Sequence, residues 1–185
     1  MDTAVHLSSK ELEAGMEHIR HSPRDEGVVK MIVRRPRVDE RELLDEAELN
    51  LTDGLVGDNW QSRGSTSTHN GSANIDAQIT LMNARTIALL AQDETQWSLA
   101  GDQFYVDFDL SEDHIPPGTR LAMGSAVIEV SAKPHTGCKK FSARFGVEAL
   151  KFVNSPEGKQ LHLRGINTKV IQAGTIRVGD VVKKL

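Results

Sequence analysis

The chain contains a single cysteine, Cys138, among its 185 residues. A lone thiol cannot form an internal disulfide, which excludes the class of small secreted domains held together by disulfides. The sequence also lacks a CxxC pair, a GxGxxG turn after a strand and a P-loop, so the common zinc, dinucleotide and nucleotide sites are not indicated. A single reduced cysteine is typical of the reducing cytoplasm, and we expect that localisation.

Long apolar runs and an excess of positive charge are absent as well. No stretch approaches the length of a membrane span, and the N-terminal residues have no signal-peptide apolar core. The formal net charge is −4 and the pI about 6.0, which argues against partners such as nucleic acid or an anionic membrane surface. Hydrophobic residues at 38% and charged residues at 26% indicate one ordinary globular domain with a packed core.

The hydrophobic pattern predicts many short strands and few helices. Residues 28–33 and 126–130 are rich in β-branched side chains, and residues 104–110 alternate apolar and polar residues as a half-buried strand does. Closing strands joined by tight turns are expected over 167–182. Residues 41–48 alternate acidic and basic side chains, which favours an exposed short helix or turn. Regular strand–helix alternation is missing, so we predict a mostly antiparallel, barrel-like β-domain with helices, an α+β fold.

Two capping signals predict helices outside these strands. Ser8 and Glu11 have the spacing of a capping box, which indicates a short N-terminal helix. We interpret residues 1–24 as a peripheral segment and residues 25–185 as the domain itself. Asn83 follows a short predicted strand and is expected to cap the next helix.

The setting of Cys138 indicates a reactive thiol. His135 precedes it and two lysines follow it. Apolar residues over 141–152 repeat at near-helical spacing, so Cys138 is predicted to open a helix that Gly146 divides in two. Positive neighbours and a helix N-terminus both stabilise a thiolate. The residues therefore predict a nucleophile or a soft metal ligand, and the competing interpretation is a buried cysteine that only fills space.

Residues 61–77 form the longest irregular stretch, and ten of these seventeen residues are Ser, Thr, Gly or Asn. Loops of this length in a compact domain are usually either ligand-binding or disordered. This loop carries Arg63 and His69, which are suited to meet an anion. The alternative is a mobile surface loop.

Five segments taken together resemble the MOSC domain family, named after the C-terminal domain of molybdenum-cofactor sulfurases. The block around the cysteine is the most specific of them. In chain order the segments are 54–58, 78–83, 135–146, 163–165 and 174–180. The resemblance covers nearly the whole chain from residue 27 and implies a MOSC-like β-barrel fold, similar to the barrel domain of pyruvate kinase.

The resemblance also implies a protein that binds the molybdenum cofactor, molybdopterin, with Cys138 as a molybdenum ligand or a sulfur carrier. Thiolate is a soft donor that molybdenum accepts, and a persulfide carrier needs the same accessible cysteine. His135 is a candidate for tuning the thiolate or donating a proton. The candidate cofactor-binding residues, which include donors for phosphate and oxo groups, are Asp58, Arg63, His69, Asn83, Lys139, Arg144 and Arg164.

Stand-alone members of the family resemble bacterial proteins linked to the reduction of N-hydroxylated compounds. That implies an oxidoreductase or sulfur-transfer protein with a small-molecule substrate and a sulfurase or electron-transfer protein as partner. The chain has no room for the pyridoxal-phosphate-dependent sulfurase domain, so pyridoxal phosphate is not expected on it. Two other classes stay open. One is a non-catalytic module that delivers cofactor or sulfur, and the other is a cofactor-free thiol protein in which His135 activates Cys138.

Overall fold

A computed structural model of the chain describes residues 4–185. The strands of this part are β1 (Glu26–Arg34), β2 (Glu42–Leu44), β3 (Glu46–Asn50), β4 (Gly54–Leu55), β5 (Ile79–Asn83), β6 (Phe104–Asp107), β7 (Arg120–Met123), β8 (Ala126–Val130), β9 (Ile166–Gln172), β10 (Gly174–Arg177) and β11 (Val181–Lys184). Its α-helices are α1 (Ser9–Arg20), α2 (Trp60–Arg63), α3 (Ala84–Ala91), α4 (Lys139–Phe145), α5 (Val147–Asn154) and α6 (Pro156–Gln160). Two 3₁₀ segments, Ile75–Ala77 and Glu94–Ala100, complete it.

Seven strands close into a barrel in the order β11-β7-β8-β9-β5-β6-β1, with β1 pairing back to β11. Every neighbouring pair in this ring is antiparallel except β5 and β6. Strand β2 extends from the edge of β1, and β10, β3 and β4 form a separate small sheet. The predicted barrel-like α+β fold is therefore confirmed.

The interpretation of residues 41–48 as a helix or turn was wrong, because they contribute to β2 and β3. In β3, Ala47 and Leu49 are buried, while Glu46 and Glu48 face solvent. The burial period is two, as in a strand with one face in the core. Alternating charges concealed that period in the sequence.

Alternate residues of the barrel strands face two different cores. Ile32 and Phe104 point into the barrel, whereas Met31 and Tyr105 pack against the helices outside it. The expected half-buried strand at 104–110 is thus covered on both faces over its first three residues, and β6 ends at Asp107. Tyr105 is fully buried, and its hydroxyl donates a 2.8 Å hydrogen bond to the Trp97 carbonyl. A buried tyrosine hydroxyl with such a hydrogen-bond partner is compatible with the apolar core between the barrel and the helices, which we call the outer core.

The predicted helix signals are confirmed. Ser8 and Glu11 form a reciprocal capping box at α1, and Asn83 accepts from the backbone N–H groups of the first turn of α3. Leu12 of α1 is fully buried in the outer core. The helix is therefore packed onto the barrel, while the division of the chain after residue 24 stays a prediction.

Gly146 separates α4 from α5 and has φ of 93°, a conformation that a side chain would strain. Phe141 and Phe145 of α4 are both 1% exposed and pack in the outer core. The burial of these rings fixes the first turn of α4 against the barrel. Within residues 4–185, no helix is long and apolar enough to span a bilayer.

Candidate functional site

Cys138 is the N-cap residue of α4, directly before Lys139, and its side chain is exposed. Asn154 of α5 holds the segment before it, because its Oδ1 accepts from the Gly137 N–H at 3.0 Å. The cysteine borders a cavity of about 290 Å³. The structure therefore places the thiol where the sequence predicted it, at a helix start and open to solvent.

Positive charge dominates this cavity, which we call the cationic cavity. Seven cationic side chains line it, against the single carboxylate of Asp39. Three of them come from the segment that follows β1, and the other four from α2, α4 and the segment before β9. The seven are Arg35, Arg37, Arg41, Arg63, Lys140, Arg144 and Arg164.

A buried carboxylate, Asp58, holds Arg35 at the cavity wall. The Asp58 side chain is 0% exposed, and Arg35 Nε and Nη2 donate to its two oxygens at 2.9 and 2.8 Å. The backbone N–H groups of Arg35 and Trp60 donate to the same carboxylate. Bidentate pairing of this kind fixes the guanidinium in one orientation.

A second buried carboxylate, Asp102, does the same for Arg164. Arg164 Nη1 donates to Asp102 Oδ2 at 2.6 Å, and Nη2 donates to the Ala100 carbonyl at 2.9 Å. The guanidinium also lies over the Phe141 ring, 5.0 Å from its centroid. Asp102 is completely buried, and burial raises the pKa of its carboxyl, an effect that Arg164 opposes.

His135 lies beside the same carboxylate, with Nδ1 3.4 Å from Asp102 Oδ1. The geometry does not make this a hydrogen bond, since both atoms are buried without a partner in the described residues. Burial, and then the charges of Arg164 and Arg35, hold the pKa of His135 well below its usual range. The imidazole is therefore neutral at physiological pH.

Asp39 bridges two cations of α4 at the edge of the cationic cavity. Its Oδ1 accepts from Lys140 Nζ at 3.0 Å and from Arg144 Nη2 at 3.3 Å. The Lys140 hydrogen bond holds the pKa of Asp39 below its ordinary value. Arg144 is fixed a second time, because its Nη1 donates to the Leu99 carbonyl at 2.7 Å.

Arg41 and Arg63 have no carboxylate within 4 Å in the part of the chain that the structure describes. Partial burial lowers the pKa of Arg63, and nearby Arg35 and Arg41 lower it further. Burial, followed by Arg144 and Arg35, lowers the pKa of Arg41 in the same way. Neither side chain forms an ion pair in the described residues, so the cavity favours an anion.

Five of the predicted site residues meet at the cationic cavity, and they are Arg63, His135, Cys138, Arg144 and Arg164. The remaining predictions lie elsewhere. Asp58 stands behind Arg35 as its counter-ion. The Asn83 side chain is used in capping α3 and in bonds to Ser22 and the Phe108 carbonyl. Lys139 and His69 are exposed and do not line the cavity.

The loop over residues 61–77, which was predicted to bind a ligand, reaches the cationic cavity only near its two ends, at Arg63 and Ala77. The remainder is ordered by bonds of its own, such as those from Thr68 Oγ1 to the carbonyls of Ser65 and Ser72. Ser67 Oγ also accepts from Lys133 Nζ at 3.0 Å. The loop therefore borders the site at its ends and contacts the segment before Cys138.

Residues 66–183 match the MOSC domain family. The chain belongs to the MOSC domain family. Solved structures that share the fold include the YuaD protein from Bacillus subtilis, at 14% identity and a TM-score of 0.59 over 86% of this chain and 95% of that one. YiiM from Escherichia coli aligns at 17% identity and a TM-score of 0.55, over 85% and 69% of the two chains. No curated protein matched in sequence.

Sequence reasoning missed several residues of this MOSC-domain site. Arg35, Arg37 and Arg41 follow one strand closely, and that basic run was a readable signal. Asp102 had no such signal, because it meets Arg164 across 62 positions of sequence. Among residues 4–185, no group of three or more His, Cys, Asp or Glu side chains is arranged to hold a metal ion.

The lowered pKa of His135 predicts a pH-dependent loss of stability. The imidazole stays neutral in the folded chain, so below about pH 6.5 only the unfolded chain takes up this proton. The free energy of unfolding should then fall by up to about 1.4 kcal/mol per pH unit. Urea unfolding of the wild type and of His135→Gln between pH 7.5 and 5.5 isolates this contribution from the other six histidines. Parallel losses in the two proteins would contradict the assignment.

Proposed function

We propose that this MOSC-domain protein binds the molybdenum cofactor in the cationic cavity and uses Cys138 as molybdenum ligand or sulfur carrier. The observation that carries the proposal is the position of the exposed thiol. It opens α4 at the edge of a cavity lined by seven cations, two of which have no carboxylate partner among the described residues.

The residues present fit the cofactor's anionic groups. Phosphate and oxo groups require donors, and arginine is the side chain best suited to bidentate contacts with phosphate. Arg41 and Arg63 supply charge without a counter-ion. Asn59 Oδ1 in the lining is buried and has no hydrogen-bond partner in the described residues. A cofactor that carries a hydrogen-bond donor beside its anionic groups would satisfy this acceptor.

Cys138 provides the only thiol of the chain. When bound, the cofactor supplies a redox-active metal that accepts soft sulfur donors. The protein's part is to keep the thiol at a fixed place beside the cavity. Packing of Phe141 and Phe145 fixes the helix, and Asn154 fixes the residue before the cysteine.

His135 acts as a neutral group in this proposal. Its lowered pKa keeps the imidazole uncharged at neutral pH, so the ring makes a weak base and serves as a hydrogen-bonding group. Asp102 positions Arg164 and lies beside the His135 ring. Asp102 therefore fixes Arg164 in the wall of the cavity, and His135 adds an uncharged imidazole to the same wall.

A cofactor-free thiol protein is the competing class. It requires a direct hydrogen bond between Cys138 and His135, with an acid to orient the imidazole. Asp102 is a nearby acid that the sequence did not reveal, but His135 Nδ1 is not hydrogen-bonded to it. The Cys138 side chain makes no capping hydrogen bond either. The missing hydrogen bonds count against this class, whereas a cavity with seven cations favours an anionic cofactor.

An enzyme and a delivery module share this binding site, so turnover separates them. An N-hydroxylated compound supplied with an electron donor tests the oxidoreductase. A small-molecule substrate and a separate electron-transfer or sulfurase protein belong to the proposal as partners. Transfer of the cofactor to an acceptor protein, without turnover of the N-hydroxylated compound, would instead indicate a delivery module.

Arg63→Gln tests whether the cavity retains the cofactor through its charge. Loss of a charge-assisted contact should weaken retention about tenfold or more. Molybdenum and pterin content after anaerobic purification and exhaustive dialysis give the measurement. Arg120→Gln is the matched control, because Arg120 is an exposed arginine that pairs with Glu129 away from the cavity. Equal retention in the two variants would remove the electrostatic basis of the proposal.

Cys138→Ser tests the role of the thiol. The fold should survive with a change in unfolding free energy of less than about 0.5 kcal/mol, since the side chain is exposed. Molybdenum content or protein-bound persulfide sulfur should be lost. A second protein, Cys138→Ser with Thr136→Cys, moves the thiol by two residues and should not restore either quantity. Unchanged molybdenum and sulfur contents in Cys138→Ser would exclude both roles for this cysteine.

A further inference from the structure

A second cavity of about 410 Å³ lies next to the cationic cavity. His135, Arg164 and Asn167 line both cavities, so these three side chains form a partition between them. The volume falls within the range of about 300–1,000 Å³ that is usual for small-molecule sites. Cys138 lines the cationic cavity but not the second cavity.

The second cavity has an apolar wall and a cationic rim. Val130, Val153 and Ile166 in its wall are each no more than 3% exposed. Lys133 and Lys159 stand at the rim, and neither has a carboxylate within 4 Å among the described residues. The only acidic residue of the lining is Glu112. This combination suits a ligand with an apolar body and a negative group.

The partition contributes an unpaired donor. Arg164 is 7% exposed and uses Nη1 and Nη2 on Asp102 and the Ala100 carbonyl. Its Nε is buried without a hydrogen-bond partner in the described part of the chain, and so is Ser131 Oγ in the lining. Buried polar atoms normally have partners, and atoms left without one are candidates for ligand contacts.

We infer that the second cavity binds a small organic carboxylate with an apolar body. The apolar wall takes the body, and Lys133 and Lys159 take the carboxylate. This binding does not depend on the molybdenum cofactor, so the inference and the proposed function fail or succeed separately. Such a ligand would sit across the partition from the cavity that Cys138 borders.

Three probes separate the two parts of this recognition. Benzoate has both the ring and the charge, benzyl alcohol has the ring alone, and acetate has the charge alone. Titrations followed by backbone amide NMR should show saturable shifts for benzoate at cavity residues such as Ser131 and Ile166. Both comparison compounds should bind about tenfold more weakly.

Variants at the rim locate the site. Lys133→Met and Lys159→Met keep the apolar stem, and each should weaken benzoate without changing benzyl alcohol. Lys30→Met is the matched control, since Lys30 is an exposed lysine on β1 outside both cavities. Ala132→Trp places a ring in the cavity from an exposed position and should abolish binding of both aromatic probes.

The inference is overturned if benzoate shifts no cavity residue, or if Ala132→Trp binds it as the wild type does. If acetate binds as tightly as benzoate, the apolar wall does not contribute and only surface charge is recognised. If benzyl alcohol binds as tightly as benzoate, the lysines do not contribute. Either result also overturns it.

Discussion

Two buried carboxylates determine the shape of the site. The Asp58 and Asp102 side chains are both 0% exposed, and each is paired with an arginine that lines the cationic cavity. Burying a carboxylate is costly unless a charge and hydrogen bonds compensate it, and Arg35 and Arg164 provide that compensation. Of the remaining cations, Lys140 and Arg144 share Asp39 and Arg37 pairs with Glu40. Arg41 and Arg63 have no carboxylate within 4 Å among the described residues. The excess positive charge of the cavity follows from this arrangement.

Local signals in the sequence were sufficient for the helix ends and for the general fold class. The Ser8–Glu11 capping box, the Asn83 cap and the break at Gly146 each depend on contacts within a few residues. The cysteine followed by two lysines likewise indicated an exposed thiol at a helix start. Such features depend little on the rest of the chain, which is why they can be read without it.

The wall of the cavity depends on barrel closure and could not be read in the same way. Asp102 and Arg164 are 62 positions apart, and Arg144 meets Asp39 across 105. Which of many charged residues become neighbours is decided by strand order. The same closure gives the chain two adjoining cavities with Arg164 in the wall of each.

The most direct test of the account is a crystal structure of protein purified anaerobically with its molybdenum, recorded at the molybdenum absorption edge. We predict an anomalous peak inside the cationic cavity, next to Cys138 and facing Arg63 and Arg144. Both the ligand and the sulfur-carrier role of the cysteine require that position. Crystals of protein that carries stoichiometric molybdenum but show the peak elsewhere, or none in this cavity, would contradict it.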